Sequence, residues 1–239
     1  MGLKSEDLRP IFDEVVSDYS LVYDIGVTTP PEYLIRQRVQ DHCDPDYKSH
    51  PAYDKECFLD ESVKTVIVWN VFSIVAFDYT FRDVFIPQII DKLNLKYGQE
   101  DIYFAYDNYL LNRKQFAVRS GTAKISRPSI AFHKKFGLNY KIDLLFTNAV
   151  FEDSVIMDDM LKYDNCIGCD APCESSCPVG CTFNFEHSDW MKCDNFISRP
   201  ELFANPDKMC RICQDACPYS EELKQDLLKI NPNYGRRLN

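Results

Sequence analysis

Eight of the eleven cysteines in this 239-residue chain fall into two linked sets. They are Cys166, Cys169, Cys173 and Cys177-Pro178, then Cys193, then Cys210, Cys213 and Cys217-Pro218. Disulfides, zinc and iron–sulfur clusters compete to explain such a run. Disulfide frameworks fit short secreted chains with a signal peptide, whereas this sequence opens MGLKSEDLRP, charged and without an apolar stretch. Zinc sites are paired Cys-x2-Cys knuckles, and the Cys-Pro ends are foreign to that pattern. A run closing on Cys-Pro is a ligand pattern for 4Fe–4S clusters, and in two-cluster proteins the cysteine before proline ligates the other cluster. A short loop wraps three irons of a cubane, and a distant thiolate closes the cage. The reading therefore assigns Cys166, Cys169, Cys173 and Cys217 to a first cluster and Cys177, Cys193, Cys210 and Cys213 to a second. The first loop, Cys-x2-Cys-x3-Cys-x3-Cys-Pro, is one residue longer than the usual run, so one turn must bulge. Cys43, Cys57 and Cys181 are left over and are read as packed or partly exposed free thiols.

Hydrophobic residues make up 45% of the chain and aromatics 13%, enough for a real core. The longest apolar run, Val63 to Phe77, is interrupted by Lys64, Asn70 and Ser73 and falls short of the ~18 uninterrupted residues of a membrane span. These features predict a soluble, cytoplasmic protein with no membrane partner. The net charge of −10 is uneven: residues 1–150 carry 18 basic and 21 acidic side chains, residues 151–239 carry 9 and 16. Acidic surface around redox centres disfavours nucleic acid and suits a basic electron donor. Against that trend, Arg113 to Ile142 holds no acid but eight bases: Arg113, Lys114, Arg119, Lys124, Arg127, Lys134, Lys135 and Lys141. Such a block is either a solvated face or a site for phosphate.

Apolar spacing after Ser5 predicts a capped helix to about Tyr19, and LVYDIGV predicts a strand. Thr29-Pro30-Pro31-Glu32 reads as a helix start, and 41–60 as a loop. Thr65 to Phe72 reads as a buried strand, Val84 to Leu95 as a helix, IYFAY as a strand, and Leu110 to Ser120 as a helix ending at Gly121. Ser129–Phe132 and Ile142–Phe146 read as further strands. Strand signals cease near residue 150 as the cysteines begin. The fold class is therefore α/β, or α+β, with a cofactor- or substrate-binding domain over 1–155 and a two-cluster domain over 156–239. The latter is expected to have little regular structure, with metal substituting for a core.

The block DNYLLNRKQFAVRSGTAKISRPSIAFHKKFGLNYKIDLLFTNAVF resembles, without a gap, the core of the epoxyqueuosine reductases. Asp107, Arg119, Gly121, Phe136-Gly137 and Thr147 fall in register with that family's pattern. VKTVIVWNVF is similar to its earlier core strand, and the cysteine order, with Cys193 isolated, is its order too. The resemblance covers about residues 60–218. It implies a cobalamin-binding core similar to the nitroreductase fold and shared with reductive dehalogenases, joined to a two-cluster ferredoxin-like module that passes electrons to cobalt. Carried over, Asp107 is the catalytic proton donor above the corrin. Backbone from Ala131 to Lys134 and the segment around Asn195 contact the cofactor. Two features depart from the pattern: the glycine-rich turn is replaced by Thr122-Ala123-Lys124-Ile125-Ser126-Arg127-Pro128, and no helical-repeat extension follows.

Asp107 is the one residue assigned a catalytic role, its alternative being a helix N-cap; Tyr106 and Tyr109 are candidate auxiliary donors, but in a chain with 14 tyrosines core packing is the favoured reading for both. His42, His50, His133 and His187 form no ligand spacing. The expected function is an iron–sulfur reductase delivering electrons, through two 4Fe–4S clusters and a cobalamin, to a small or nucleoside-like substrate. A ferredoxin or flavodoxin would be the donor. Two alternatives stay open: an electron-transfer protein that keeps the clusters without cobalamin, and a tRNA epoxyqueuosine reductase, which the acidity disfavours.

Overall fold

The structure, a computed structural model, describes residues 2–31, 62–75, 81–98, 101–106, 113–158, 161–181, 184–185, 190–197, 199 and 210–236. The expected helix start at Glu32, the loop 41–60, Asp107, Tyr109, His42, His50, His187, Cys43 and Cys57 lie outside these residues.

Helix α1 (Ser5–Val16) places Leu8, Ile11, Phe12, Val15 and Val16 at three- and four-residue intervals, and all five are buried. Its N-cap is Lys4 rather than Ser5. Asp7 Oδ2 accepts the Lys4 N–H at 2.8 Å, while the Ser5 N–H and hydroxyl both donate to Asp153, 148 residues away. A local carboxylate, Asp7, and a distant one, Asp153, thus share the cap.

Strands β1 (Tyr23–Thr28), β2 (Thr65–Phe72), β3 (Phe104–Tyr106) and β6 (Tyr140–Thr147) form one sheet in the order β1-β2-β6-β3. Every pairing in it is antiparallel, so the core is α+β. One face carries Tyr23, Val27, Ile67, Trp69, Val71 and Leu145 against α1 and helix α2 (Ile86–Tyr97). The opposite face carries Val66, Val68, Leu144 and Phe146 against helix α3 (Arg113–Arg119) and the hairpin of β4 (Ala123–Ile125) and β5 (Ala131–His133). Strand β2 is covered on both sides, which is why its sequence is a continuous apolar run rather than an alternation. Helix α3 ends at Gly121, whose φ of +73° is open to glycine at little cost.

The cysteine-bearing segment is more regular than composition suggested. It contains α4 (Pro172–Ser175), α5 (Trp190–Ile197), α6 (Ile212–Asp215) and the thirteen-residue α7 (Pro218–Ile230). Pro218 opens α7, where a missing N–H leaves no bond unmade.

This segment is bound to the core. Ile125 N–H donates to Leu161 O and Tyr163 N–H to Ile125 O, both at 2.7 Å, so 161–163 runs beside β4. Ser220, wholly buried on α7, accepts from Leu138 N–H and Asn139 Nδ2–H, each at 2.8 Å. Tyr163 stacks on Phe132 at 3.9 Å and 12°.

Candidate metal centre

The hairpin β4–β5 turns tightly at its tip. Ser126 N–H and Oγ–H both donate to Ile130 O, and Lys114 Nζ holds Ser129 through its carbonyl and hydroxyl at 2.9 and 3.0 Å. That locks Ser126, Arg127 and Pro128 into a wall. Facing them across a hollow are Cys166, Cys169, Cys173 and Cys217, with Leu138, Pro172, Pro218 and Tyr219 closing the sides.

The loop reaches this geometry by backbone choices visible in the chain. A 3₁₀ turn at Asp164–Cys166 presents Cys166, and Ala171 then adopts a left-handed conformation, φ 54°, to swing Pro172 into α4. A non-glycine residue there costs roughly 1–2 kcal/mol. That strain falls in the loop that is one residue longer than usual.

Both helical turns end alike: α4 is followed by Cys177-Pro178 and α6 by Cys217-Pro218, each cysteine amide donating back, to Glu174 O at 3.0 Å and Gln214 O at 3.3 Å. α4 and α6 pack together, so each Cys-Pro end can serve the opposite set. Cys217 lies with Cys166, Cys169 and Cys173 around the hollow.

Burial pushes the Cys173 thiol up to about 11 and Cys213 up to about 12, and raises Cys166 and Cys217 as well. Their neighbours add to this. Cys166 feels Cys217 and Cys169, whereas Cys213 feels Cys210, Cys193, Cys173 and Cys177. Cys177 moves the other way: burial opposes its ionisation, but N–H groups of Cys181, Val179 and Gly180 converge on its sulfur and outweigh it. The Cys181 N–H lies 3.3 Å from that sulfur, so the leftover thiol is a buried neighbour of a predicted ligand. All the described cysteines are free thiols. Crowded thiols that resist ionisation are stable as thiolates only with a cation among them. Among the described residues no three converge on a point as a single ion requires; the first set instead lines a hollow.

The other predicted site residues are dispersed. Ala131 is buried, its strand paired with β4, and Lys134 and Asn195 are exposed. Tyr106 donates its hydroxyl to Asp143 at 3.1 Å. The turn 122–128 is not an open loop: Thr122, Ala123, Ile125 and Ser126 are buried, while Lys124 and Arg127 pair with Asp164 and Glu174 at 2.6 and 3.0 Å.

The basic block has a structural use that sequence could not show. Lys114, Arg119, Lys124, Arg127 and Lys135 all bind partners within the chain, Arg119 at Thr29 O and Lys135 at Asp24. Asp24 is one of the residues missed. An acid inside an apolar strand was its signal. It is buried beside Lys135 at 2.9 Å and His133 Nε2 at 3.3 Å; burial would raise its pKa, but these partners outweigh it and hold it at about 2. His133 accepts the Lys135 N–H at Nδ1, which leaves the ring proton on Nε2, facing the carboxylate, and burial lowers its pKa.

No protein-family model matches the sequence, and no curated protein sequence does. Solved structures match. An epoxyqueuosine reductase superposes with a TM-score of 0.61 at 19% identity over 90% of this chain and 66% of its own. The Bacillus subtilis epoxyqueuosine reductase, seen with its aspartate catalytic loop swung out of the active site, gives 0.62 at 18% over 90% and 66%. A reductive dehalogenase linked to B12-dependent dehalogenation gives 0.55 at 12% over 87% and 32%. The chain has the fold of the epoxyqueuosine reductases and reductive dehalogenases. No helix among the described residues is long and apolar enough to cross a membrane. The chain spans slightly under two thirds of the length of those epoxyqueuosine reductases and about a third of the dehalogenase.

Proposed function

We propose that this chain is an iron–sulfur reductase, with Cys166, Cys169, Cys173 and Cys217 holding one 4Fe–4S cluster and Cys177, Cys193, Cys210 and Cys213 a second. The observation that carries the reading is the hollow in which four thiols from two separate Cys-Pro runs meet. The donor set fits a cubane: sulfur only, four ligands around a cage, and backbone N–H groups aimed at Cys166 and Cys177.

A cobalamin is proposed as the electron acceptor, by analogy with the reductases that share the fold. When bound, it would supply a strongly reducing cobalt centre. The side chains of residues 122–128 are buried or paired to the cysteine loop, so the turn that replaces the glycines is tied to the core and the cysteine segment. Lys134 and Asn195 are open to a ligand. Asp107 is the proposed proton donor, delivering a proton from its carboxyl group to the reduced substrate. The substrate proposed is small or nucleoside-like, with a ferredoxin or flavodoxin as donor in the cytoplasm. One epoxyqueuosine reductase of this fold is known with a tRNA-Tyr stem loop. In this chain the engaged basic block and the charge of −10 argue for a smaller substrate.

A second reading has its own support. Ala131 and His133 lie inside the core rather than at a surface, which suits an electron-transfer protein without cobalamin. Adding cobalamin to anaerobic, cluster-loaded protein separates the two. The reductase reading expects a changed absorption spectrum and corrin retained through gel filtration. Asp107→Asn should keep both while slowing substrate reduction ~10²–10⁴-fold. Absence of retained corrin with every cobalamin form would favour the electron carrier.

A further inference from the structure

Each cysteine set has an arginine beside it, and the two arginines are held differently. Arg127 donates its backbone N–H to Cys166 Sγ at 3.4 Å, and its side chain meets Glu174 at 3.0 Å, the pair being 28% and 23% exposed. Lys124, on the same wall, is paired with Asp164 at 2.6 Å. Around the first set, positive charge is matched by negative charge.

Arg211 directly follows Cys210 and is the N-cap of α6, the turn that carries Cys213. Its guanidinium is partly buried and its partners are neutral: Nη1 donates to Ser73 O at 3.4 Å and Nη2 to Asn139 Oδ1 at 2.5 Å. Asp215 on the same turn acts on Arg211 only from beyond ion-pair distance; its carboxylate is half-exposed and lies 3.7 Å from Lys224. Among the described residues no carboxylate pairs with Arg211.

An arginine does not lose its proton, so its charge is permanent. An electron entering a cluster adds negative charge, and the potential responds to the charge and hydrogen bonds around the sulfurs. A cation withdrawn from water is also less screened than an exposed one. We propose that Arg211 holds the cluster of Cys177, Cys193, Cys210 and Cys213 at a higher reduction potential than the cluster of Cys166, Cys169, Cys173 and Cys217, where Glu174 cancels Arg127. The inference rests on the two-cluster reading. An electron delivered by a low-potential donor then settles on the second cluster first. The first cluster, beside Tyr163 and the α+β core, is the stronger reductant. Arg211 and Glu174 touch no substrate and act through the clusters alone.

The test is a redox titration of the anaerobic full chain, followed by electron paramagnetic resonance. Wild type should show two one-electron steps. Arg211→Gln should lower the higher step by at least tenfold in the reduced-to-oxidised ratio, about 59 mV for one electron, and Arg211→Lys should restore most of it. Glu174→Gln should raise the lower step and leave the higher one in place. Because Arg211→Gln also weakens the bond to Asn139, the lysine variant separates charge from docking. If both Arg211 variants fail to fold, Glu174→Gln decides. A lower step that stays put in Glu174→Gln, or two steps that move together in Arg211→Gln, overturns the proposal. Failure of the two-cluster reading is distinct: wild-type iron and sulfide would fall short of two clusters before any titration.

Discussion

Removing one buried hydroxyl should loosen the whole cysteine-bearing segment from the core. Ser220 Oγ, fully buried on α7, accepts from Leu138 N–H and Asn139 Nδ2–H at 2.8 Å each. Ser220→Ala leaves both donors without an acceptor where water does not reach. An orphaned buried donor costs about 1–3 kcal/mol, and alanine's better helix propensity returns about 0.5 kcal/mol. The net loss should be at least about 1.5 kcal/mol, roughly a tenfold change in the folded-to-unfolded ratio. Anaerobic urea denaturation, read by near-ultraviolet circular dichroism, measures it. Glu222→Ala, exposed on the same helix, is the control and should stay within about 0.5 kcal/mol of wild type. If Ser220→Ala matches that control, the hydroxyl is not the bond that docks α7.

Gly137→Ala should cost more than Gly121→Ala in the same assay. Both have positive φ, but a methyl at Gly137 would lie 2.5–2.9 Å from Ser220, whereas at Gly121 its nearest neighbour is Val155 at 3.4 Å. Asp24 contributes stability that depends on acid. Its folded pKa of about 2 lies below the ordinary 3.8, so about 2 kcal/mol is present above pH 4 and is lost as pH falls towards 2. His133, buried and lowered in pKa, adds a loss that begins as pH falls below its ordinary value of 6.5. Asp24→Asn should lower the urea midpoint at pH 7 and flatten the acid limb.

The strongly patterned parts of the chain were legible. β2 occupies Thr65–Phe72 because an unbroken β-branched run can be satisfied by layers on both faces. α1 follows from its apolar spacing, though its cap could not be foreseen, since Asp153 is remote in sequence. α7 was missed although its signals are plain: Pro218 at its start, Glu221 in the first turn and Lys229 in the last. The cysteine density masked them. β4 was not legible, because it is only three residues long and the packing that buries Ala123 and Ile125 comes from residues remote in sequence. The contacts that bind core to cysteine loop, Arg127 to Glu174, Arg211 to Asn139 and Tyr163 on Phe132, join residues far apart in sequence and carry no local pattern.

The account turns on what the eight thiols hold, and elemental analysis of the anaerobically prepared chain answers it most directly. Two cubanes predict about eight iron and eight sulfide per chain. With Cys217→Ser, the deficit should fall on the cluster of Cys166, Cys169 and Cys173. Stoichiometric zinc, or about four iron per chain after full reconstitution, would contradict it.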